Sequence, residues 1–166
     1  MKTKKIAFLG VLGALAIAVS FLEGLFNIPF LPPGAKPGLS NIVTVSAYFM
    51  QGTWGAICIT VLKALFALVT RGGIAFLLSL SGGLISIAVM IMLLKMKKCP
   101  FSITGISIIG AMSHNIAQIV TSIVVTGTLA LIYYLPVLLV FSLISGTVTG
   151  VILRTLFKKA GREKKE

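Results

Sequence analysis

Long apolar stretches, separated by short polar or glycine-rich breaks, run from Ile6 to Phe157. Several of them are long enough to cross a bilayer as helices, which takes about 20 residues. The pattern predicts an all-α integral membrane protein, a single domain of about six transmembrane helices. The predicted spans are residues 6–26, 39–50, 55–70, 74–94, 101–126 and 136–157.

The second and third predicted spans are short for full crossings, and residues 51–54 form the predicted turn between them. Two arrangements fit this pattern: two short tilted helices, or a re-entrant hairpin. Both leave the direction of every later helix unchanged. In the first span, Ala16-Ile17-Ala18 resembles a signal-peptide cleavage site, but the apolar run continues to Leu31, which favours retention of this span.

Composition and charge support the same class of protein and orient its helices. Of the 166 residues, 57% are hydrophobic and 11% are charged, unlike the composition of soluble domains. The net charge of +12 comes mainly from basic clusters that flank the apolar stretches. This arrangement follows the positive-inside rule, with attraction to lipid headgroups, and predicts cytoplasmic termini and no nucleic-acid partner. The clusters are Lys2, Lys4 and Lys5; Lys95, Lys97 and Lys98; and residues 154–165.

A stiff loop, residues 31–41, lies between the first two predicted spans, with Lys36 at its centre. Its three prolines restrict φ and cannot continue a helix, while its two glycines permit sharp reversals. Irregular backbone in a membrane protein is buried in protein, lines a cavity or lies at the water interface. The loop is therefore predicted to cover a binding site, and a simple turn between two spans is the alternative.

Polar side chains are few inside the predicted spans, so each is a candidate for a site. Glu23 is the only acid before the C-terminal tail, and Lys36 or Arg71 is its expected partner. Lys63 falls near the middle of a span, where a charge costs roughly 2.5 to 3.5 kcal/mol, so we expect it to face a polar cavity. The usual role of a single Ser, Gln or His is an interhelical hydrogen bond. The candidate substrate-binding residues are Lys36, Asn41, Lys63, Arg71, Ser81, His114, Asn115 and Gln118.

Cations outnumber acids among these candidates, since Lys36, Lys63 and Arg71 accompany Glu23 alone. An anionic group such as a phosphate or diphosphate would offset the excess positive charge. Because the rest of the wall is apolar, the pattern favours an amphipathic ligand with an anionic end. The alternative is that these side chains pair with each other or with lipid phosphate. No cofactor and no metal site is expected.

Several of these motifs together resemble a known family. The string from Pro33 to Asn41, followed by Lys63 and by residues 79–83 and 114–118, resembles the Gx transporter family, whose members are often labelled heptaprenyl diphosphate synthase component I. That family is related to the substrate-binding S components of energy-coupling factor (ECF) transporters. The resemblance implies a six-helix bundle in a bacterial plasma membrane, with an external pocket closed by the loop after the first helix. It also implies a separate energising module, made of a transmembrane coupling subunit and two ATPases.

The resemblance also assigns a docking face. Gly10, Ala14 and Ala18 fall four residues apart, so they form a small-residue stripe on one face of the first helix. In S components such a face docks the coupling subunit, which maps here onto Ala14 and Ala18, with Gly10 extending the stripe. From spacing alone, internal packing is the alternative. The family's label suggests an isoprenoid-related cargo.

The chain lacks the residues of a prenyl diphosphate synthase or an ATPase. Such synthases bind Mg²⁺ through aspartate-rich clusters, because hard cations on a diphosphate need carboxylates, and this chain contains no aspartate. No glycine-rich loop ends in Gly-Lys-Ser or Gly-Lys-Thr. The family resemblance implies a substrate-capture subunit, which is the favoured function. The alternative is a non-catalytic accessory subunit in isoprenoid or quinone metabolism, or in a redox system, which recruits a soluble enzyme through Lys95, Lys97 and Lys98.

Overall fold

A computed structural model describes residues 2–25, 38–96 and 100–159, and these residues are helical apart from short connections. This confirms the predicted all-α fold class. A short 3₁₀ helix at Leu129–Tyr134 precedes the last α-helix. The α-helices are α1 (Lys2–Leu25), α2 (Asn41–Arg71), α3 (Gly73–Lys95), α4 (Ile103–Thr126) and α5 (Leu135–Lys159).

The helices have the length and composition of membrane spans. Within the described residues, five helical stretches are long and apolar enough to cross a bilayer. Large apolar side chains such as Ile6, Val69 and Val124 point away from the bundle, and 77% of Val124 is exposed. An apolar exterior of this kind suits lipid rather than water. The protein is a multi-pass membrane protein, as predicted.

Helix α2 is a hairpin rather than one straight rod. Gly52 has φ 78° and ψ −169°, which breaks the helical geometry at a single residue. In a straight helix Asn41 and Lys63 would lie about 33 Å apart at the usual rise, yet the Lys63 ammonium donates a 3.0 Å hydrogen bond to the Asn41 side chain. The chain therefore folds back at Gly52, and residues 41–51 and 53–71 form two arms side by side.

The hairpin accounts for the six predicted segments, because its two arms correspond to the second and third predicted spans. The sequence predicts a turn over residues 51–54, whereas the structure reverses at Gly52 alone. Glycine makes this possible, because a positive φ costs it no steric clash. A Cβ built at Gly55 would lie 3.2 Å from the Ala47 carbonyl oxygen, so the arms are already close near the tip.

The hairpin packs against α1 along both arms. Leu12 and Ala16 of α1 form one buried cluster with Val43, Ala47 and Ile59 of the hairpin. At the tip, Gln51 Nε2 donates a 2.9 Å hydrogen bond to the Lys5 carbonyl oxygen. The tip thus lies at the end of the bundle where α1 begins with its lysines.

The basic C-terminal ends of α3 and α5 lie at this same end of the bundle. Val45, Met90, Ile106 and Leu153 form a second buried cluster, which joins the C-terminal parts of α3 and α5 to the start of α4. Lys95 directly follows Leu94, which packs against this cluster, and Arg154 directly follows Leu153. The basic residues of α1, α3 and α5 therefore share one end of the bundle, as the positive-inside rule requires.

Small residues allow α3, α4 and α5 to pack closely. Cβ atoms built at Gly146 and Gly150 of α5 would lie 2.6 Å from Cα of Ile108 and 2.5 Å from Cα of Thr104. Such close backbone approach is typical of helix contacts in membranes. α4 itself is capped at both ends: Ser102 Oγ accepts from Gly105 N, and Gly127 ends the helix in the left-handed region. These contacts fix the helix that carries His114.

Candidate functional site

A small polar cavity lies where α1, α2, α3 and α4 meet. Its volume is about 10 Å³, which is the space of roughly one water molecule. A larger occupant therefore requires the surrounding elements to move apart. The residues that line the cavity are Ser20, Gly38, Ser40, Lys63, Arg71, Ser79, His114 and Gln118.

Lys63 is the buried cation of this cavity. Its side chain is 4% exposed, and its ammonium donates a 3.0 Å hydrogen bond to Oδ1 of Asn41. Asn41 begins α2, and the fold at Gly52 brings it beside Lys63. Because the Asn41 amide is neutral, it satisfies a hydrogen bond without compensating the charge. Asn41 Nδ2 has no hydrogen-bond partner among the described residues, so a donor is available beside the cation.

Glu23 supplies the negative charge near this cation. The side chain is 4% exposed, and neither carboxylate oxygen has a hydrogen-bond partner in the described part of the chain. The carboxylate interacts electrostatically with both Lys63 and Arg71. Glu23 and the cavity residue Ser20 lie three positions apart on α1, so helical spacing places them on one buried face.

His114 and Gln118 form the α4 wall of the cavity. Nε2 of Gln118 lies 3.0 Å from Nε2 of His114. With the amide nitrogen as donor, His114 Nε2 accepts, and the proton of the neutral ring lies on Nδ1. The ring packs against two glycines: a Cβ at Gly82 would lie 2.9 Å from Nδ1, and a Cβ at Gly38 would lie 3.5 Å from Cδ2. Gly82 thus provides the space that the imidazole occupies.

The structure brings together part of the predicted site. Lys63, Arg71, His114 and Gln118 line the cavity, and Asn41 joins it through Lys63. Lys36 lies outside the described residues.

Two predicted site residues make contacts elsewhere. Asn115 Nδ2 faces α5, where it donates to the Leu138 carbonyl at 3.1 Å and to Ser142 Oγ at 2.8 Å. Ser81 Oγ accepts a 2.8 Å hydrogen bond from Thr121 and donates to the Leu78 carbonyl. Neither residue lines the cavity.

Sequence reasoning missed four lining residues: Ser20, Gly38, Ser40 and Ser79. Ser20 could have been predicted as a site residue, because its spacing of three residues from Glu23 places both side chains on one face of α1. Gly38 and Ser40 belong to the predicted loop, but their place in the cavity wall depends on how the hairpin places Asn41. For Ser79 the sequence holds no signal that separates it from Ser81.

The polar cavity lies within a known kind of membrane fold. The structure resembles that of the S component of a bacterial ECF transporter, with a TM-score of 0.66 and 21% sequence identity over 97% of each chain. The chain therefore has an S-component fold, as the sequence resemblance implied. Residues 12–156 match the family model of heptaprenyl diphosphate synthase component I. Since this match covers most of the chain, the protein belongs to that family. Comparison with curated proteins gives no match.

Proposed function

We propose that the chain is the substrate-binding subunit, or S component, of an ECF-type uptake transporter in a bacterial plasma membrane. The observation that carries the proposal is Lys63, a cation buried in a polar cavity inside a bundle with the S-component fold. Ionisable groups inside a membrane bundle are costly and usually mark a ligand or ion pathway. Fold and cavity therefore support the same function.

The cavity favours an anionic ligand. Lys63 and Arg71 supply positive charge, while Asn41, His114 and Gln118 supply neutral polar groups around them. Most other residues of these helices are apolar, which suits a ligand with an apolar tail. The family's description makes an isoprenoid-related molecule a reasonable cargo. In this proposal the loop that contains Lys36 closes over the bound ligand.

The exposed face of α1 is the proposed docking site for a transmembrane coupling subunit. In this proposal two ATPases bind the coupling subunit and supply the energy for transport. Gly10, Ala14 and Ala18 are all exposed, whereas Leu12 and Ala16 of the same helix are buried against the hairpin. No atom lies within 4 Å of a Cβ built at Gly10. Small side chains on an exposed membrane face allow another helix to approach closely. The chain itself has no enzymatic role in this proposal.

Substitution of the docking face tests the proposal. The double variant Ala14→Leu, Ala18→Leu should lose co-purification with the coupling subunit, because two leucines prevent close helix approach. Ala88→Leu makes the same chemical change at an exposed position of α3 and should leave co-purification intact. Thermal unfolding of all variants in detergent checks that they remain folded. Unchanged co-purification of the folded double variant would contradict the docking assignment.

The family's description also favours a second candidate, a non-catalytic membrane subunit of a prenyl diphosphate synthase. This function would use the basic cytoplasmic face, which includes Lys95 and, outside the described residues, Lys97 and Lys98. It predicts that replacing these three lysines by Gln abolishes activity of the associated synthase while Lys36→Gln does not. The transporter proposal predicts the reverse: Lys36→Gln should abolish substrate uptake, whereas the variant with the three lysines replaced should retain it.

A further inference from the structure

The first turn of α2 forms part of the cavity wall. Asn41 N donates a 3.0 Å hydrogen bond to the Gly38 carbonyl oxygen. Ile42 N donates a bond of the same length to the Leu39 carbonyl oxygen. The helix therefore supplies no acceptor for the backbone N–H groups of Leu39 and Ser40, which precede these bonds. The positive end of the α2 dipole thus lies at Gly38 and Ser40, which line the cavity.

A buried donor without a partner lies at the same turn. Asn41 is 7% exposed, and its Nδ2 has no hydrogen-bond partner among the described residues. This nitrogen is close to Gly38, since a Cβ built at Gly38 would lie 3.3 Å from it. The Asn41 Oδ1 atom accepts from the Lys63 ammonium at 3.0 Å, so the cation lies beside the turn. A buried donor without an acceptor is costly, and an acceptor on a ligand would remove that cost.

Gly38 keeps the turn free of side-chain atoms. Its φ is 86°, which is strained for other residues, and a Cβ there would also lie 3.5 Å from Cδ2 of His114. The bare backbone therefore fits between Asn41 and the imidazole. A glycine that leads into a helix N-terminus is an arrangement by which proteins bring backbone N–H groups to phosphates and carboxylates.

The nearby carboxylate of the chain does not occupy these donors. Neither oxygen of Glu23 has a hydrogen-bond partner in the described part of the chain, so Glu23 is bonded neither to Asn41 nor to Lys63. The Asn41 Nδ2 donor therefore remains available to a molecule from outside the chain. The cavity beside it has the space of roughly one water molecule, which is also the size of one carboxylate or phosphate oxygen.

We propose that residues 38–41 and Lys63 form an oxyanion subsite, which holds the carboxylate or phosphate head of the ligand. The backbone N–H groups of Leu39 and Ser40 donate to its oxygens. The Ser40 hydroxyl and Asn41 Nδ2 donate as well, and Lys63 supplies the charge. The inference rests on the proposed function and adds the place where the ligand head binds. In that function Lys36 adds positive charge when the loop closes, so the subsite sets no upper limit on the charge of the head.

Sulfate is the first probe, because this oxyanion has no tail and needs no partner protein. Full-length protein in detergent is labelled with carbonyl-¹³C leucine and ¹⁵N serine, so that NMR selects the amides of Leu–Ser pairs. The chain has three such pairs, which end at Ser40, Ser79 and Ser81, and the Ser40 signal is the one absent from Ser40→Ala. Sulfate should move the Ser40 signal most, because the other two amides bond within α3. A Ser40 signal that stays in place throughout the titration would overturn the subsite.

Melting temperatures of matched variants provide a second readout. Sulfate should raise the wild-type melting temperature by at least about 2 °C over chloride at equal ionic strength. Asn41→Asp keeps the side-chain size but places a carboxylate beside Lys63, so this variant should fold and lose the response. Ser40→Ala should reduce the response. Ser46→Ala makes the same change on the same arm, where the hydroxyl bonds to the Ile42 carbonyl outside the cavity lining, and should respond as wild type.

Equal sulfate responses of wild type and folded Asn41→Asp would contradict the subsite. The NMR titration uses the wild-type protein, so it decides the question even if Asn41→Asp does not fold.

Two probes with tails identify the source of the oxyanion. Farnesyl monophosphate and short-chain phosphatidylglycerol both carry a phosphate, the first as a free amphiphile and the second as a membrane lipid. Farnesyl monophosphate should displace sulfate, as measured by the Ser40 signal. Displacement by the lipid alone, or by neither probe, would overturn the assignment of the subsite to the transported ligand.

Failure of the subsite and failure of the proposed function give different results. The sulfate measurements need only the protein and the anion, whereas the proposed function requires that a coupling subunit and ATPases co-purify with the chain. A sulfate response without these partners would contradict the proposed function and support the subsite. Recovery of the partners without a sulfate response would contradict the subsite alone.

Discussion

The Lys63 ammonium is hydrogen bonded at 3.0 Å to the Asn41 side chain, although 22 residues separate them in the chain. The fold of α2 at Gly52 creates this contact, because it sets the two arms of the hairpin side by side. Asn41 closely follows Gly38 and Ser40, which line the cavity. Residues 38–40 are thus connected through Asn41 to the buried cation of the site.

The Lys63–Asn41 contact should couple the two residues energetically. Asn41→Leu leaves the buried ammonium without its described partner and should destabilise the protein by about 1.5 to 3 kcal/mol, as for hydrogen bonds to charged groups. Asn41→Leu combined with Lys63→Met removes both partners, so its cost should be smaller than the sum of the single changes. Thermal unfolding in detergent measures this double-mutant cycle. Additive effects would show that the contact is energetically unimportant.

The reversal at Gly52 should depend on glycine. Gly52→Ala forces a side chain into φ 78° and ψ −169°, a region that is essentially restricted to glycine, and should cost about 1 to 3 kcal/mol of stability, although its Cβ meets no atom within 4 Å. Gly73→Ala is the matched control, since its Cβ is equally free and no positive φ occurs there. Melting temperatures of the two variants provide the comparison. Equal melting temperatures would contradict a turn that depends on backbone conformation.

Gly82 should set the position of the His114 ring. A Cβ at Gly82 would lie 2.9 Å from Nδ1 and Cε1 of the imidazole, so Gly82→Ala should displace the ring and weaken ligand binding. His114 is the only histidine of the chain, so its ring gives one set of NMR signals without assignment. Those signals should move in Gly82→Ala and stay in place in Gly73→Ala. Unmoved signals in Gly82→Ala would refute this packing.

Substitution of Asn115 should lower stability, whereas substitution of Gln118 should lower ligand affinity. Asn115 connects α4 to α5, so Asn115→Ala should destabilise the bundle by about 1 to 3 kcal/mol and leave ligand affinity nearly unchanged. Gln118 lines the cavity, so Gln118→Ala should weaken ligand binding with a smaller effect on stability. Melting temperature and ligand titration on both variants separate the two effects. Loss of ligand affinity in a folded Asn115→Ala variant would place Asn115 in the site.

Much of the fold was predictable because lipid imposes one strong rule, that a spanning segment is apolar and satisfies its own backbone. The position of Lys63 beside a polar cavity was predictable for the same reason, since a charge in a span needs a polar surrounding. The chain reversal at Gly52 alone was not predictable. The sequence around Gly52 has no feature that distinguishes a one-residue turn from the predicted four-residue turn.

Side-chain direction within a polar cluster was harder to predict. Asn115 is next to His114 in sequence, yet it lies about 100° around the helix and faces α5 instead. Ser79 lines the cavity, while Ser81, two positions later, bonds to Thr121. A serine hydroxyl can bond to its own helix or to a neighbour, so its residue type does not reveal its direction.

Purification from the native membrane tests the central proposal most directly. The tagged full-length protein is isolated in mild detergent, and mass spectrometry identifies the proteins that remain bound. If the protein is an S component, a transmembrane coupling subunit and paired ATPases should co-purify with it, and less of both should be recovered with the Ala14→Leu, Ala18→Leu variant. Recovery of a prenyl diphosphate synthase without any ATPase would contradict the transporter function.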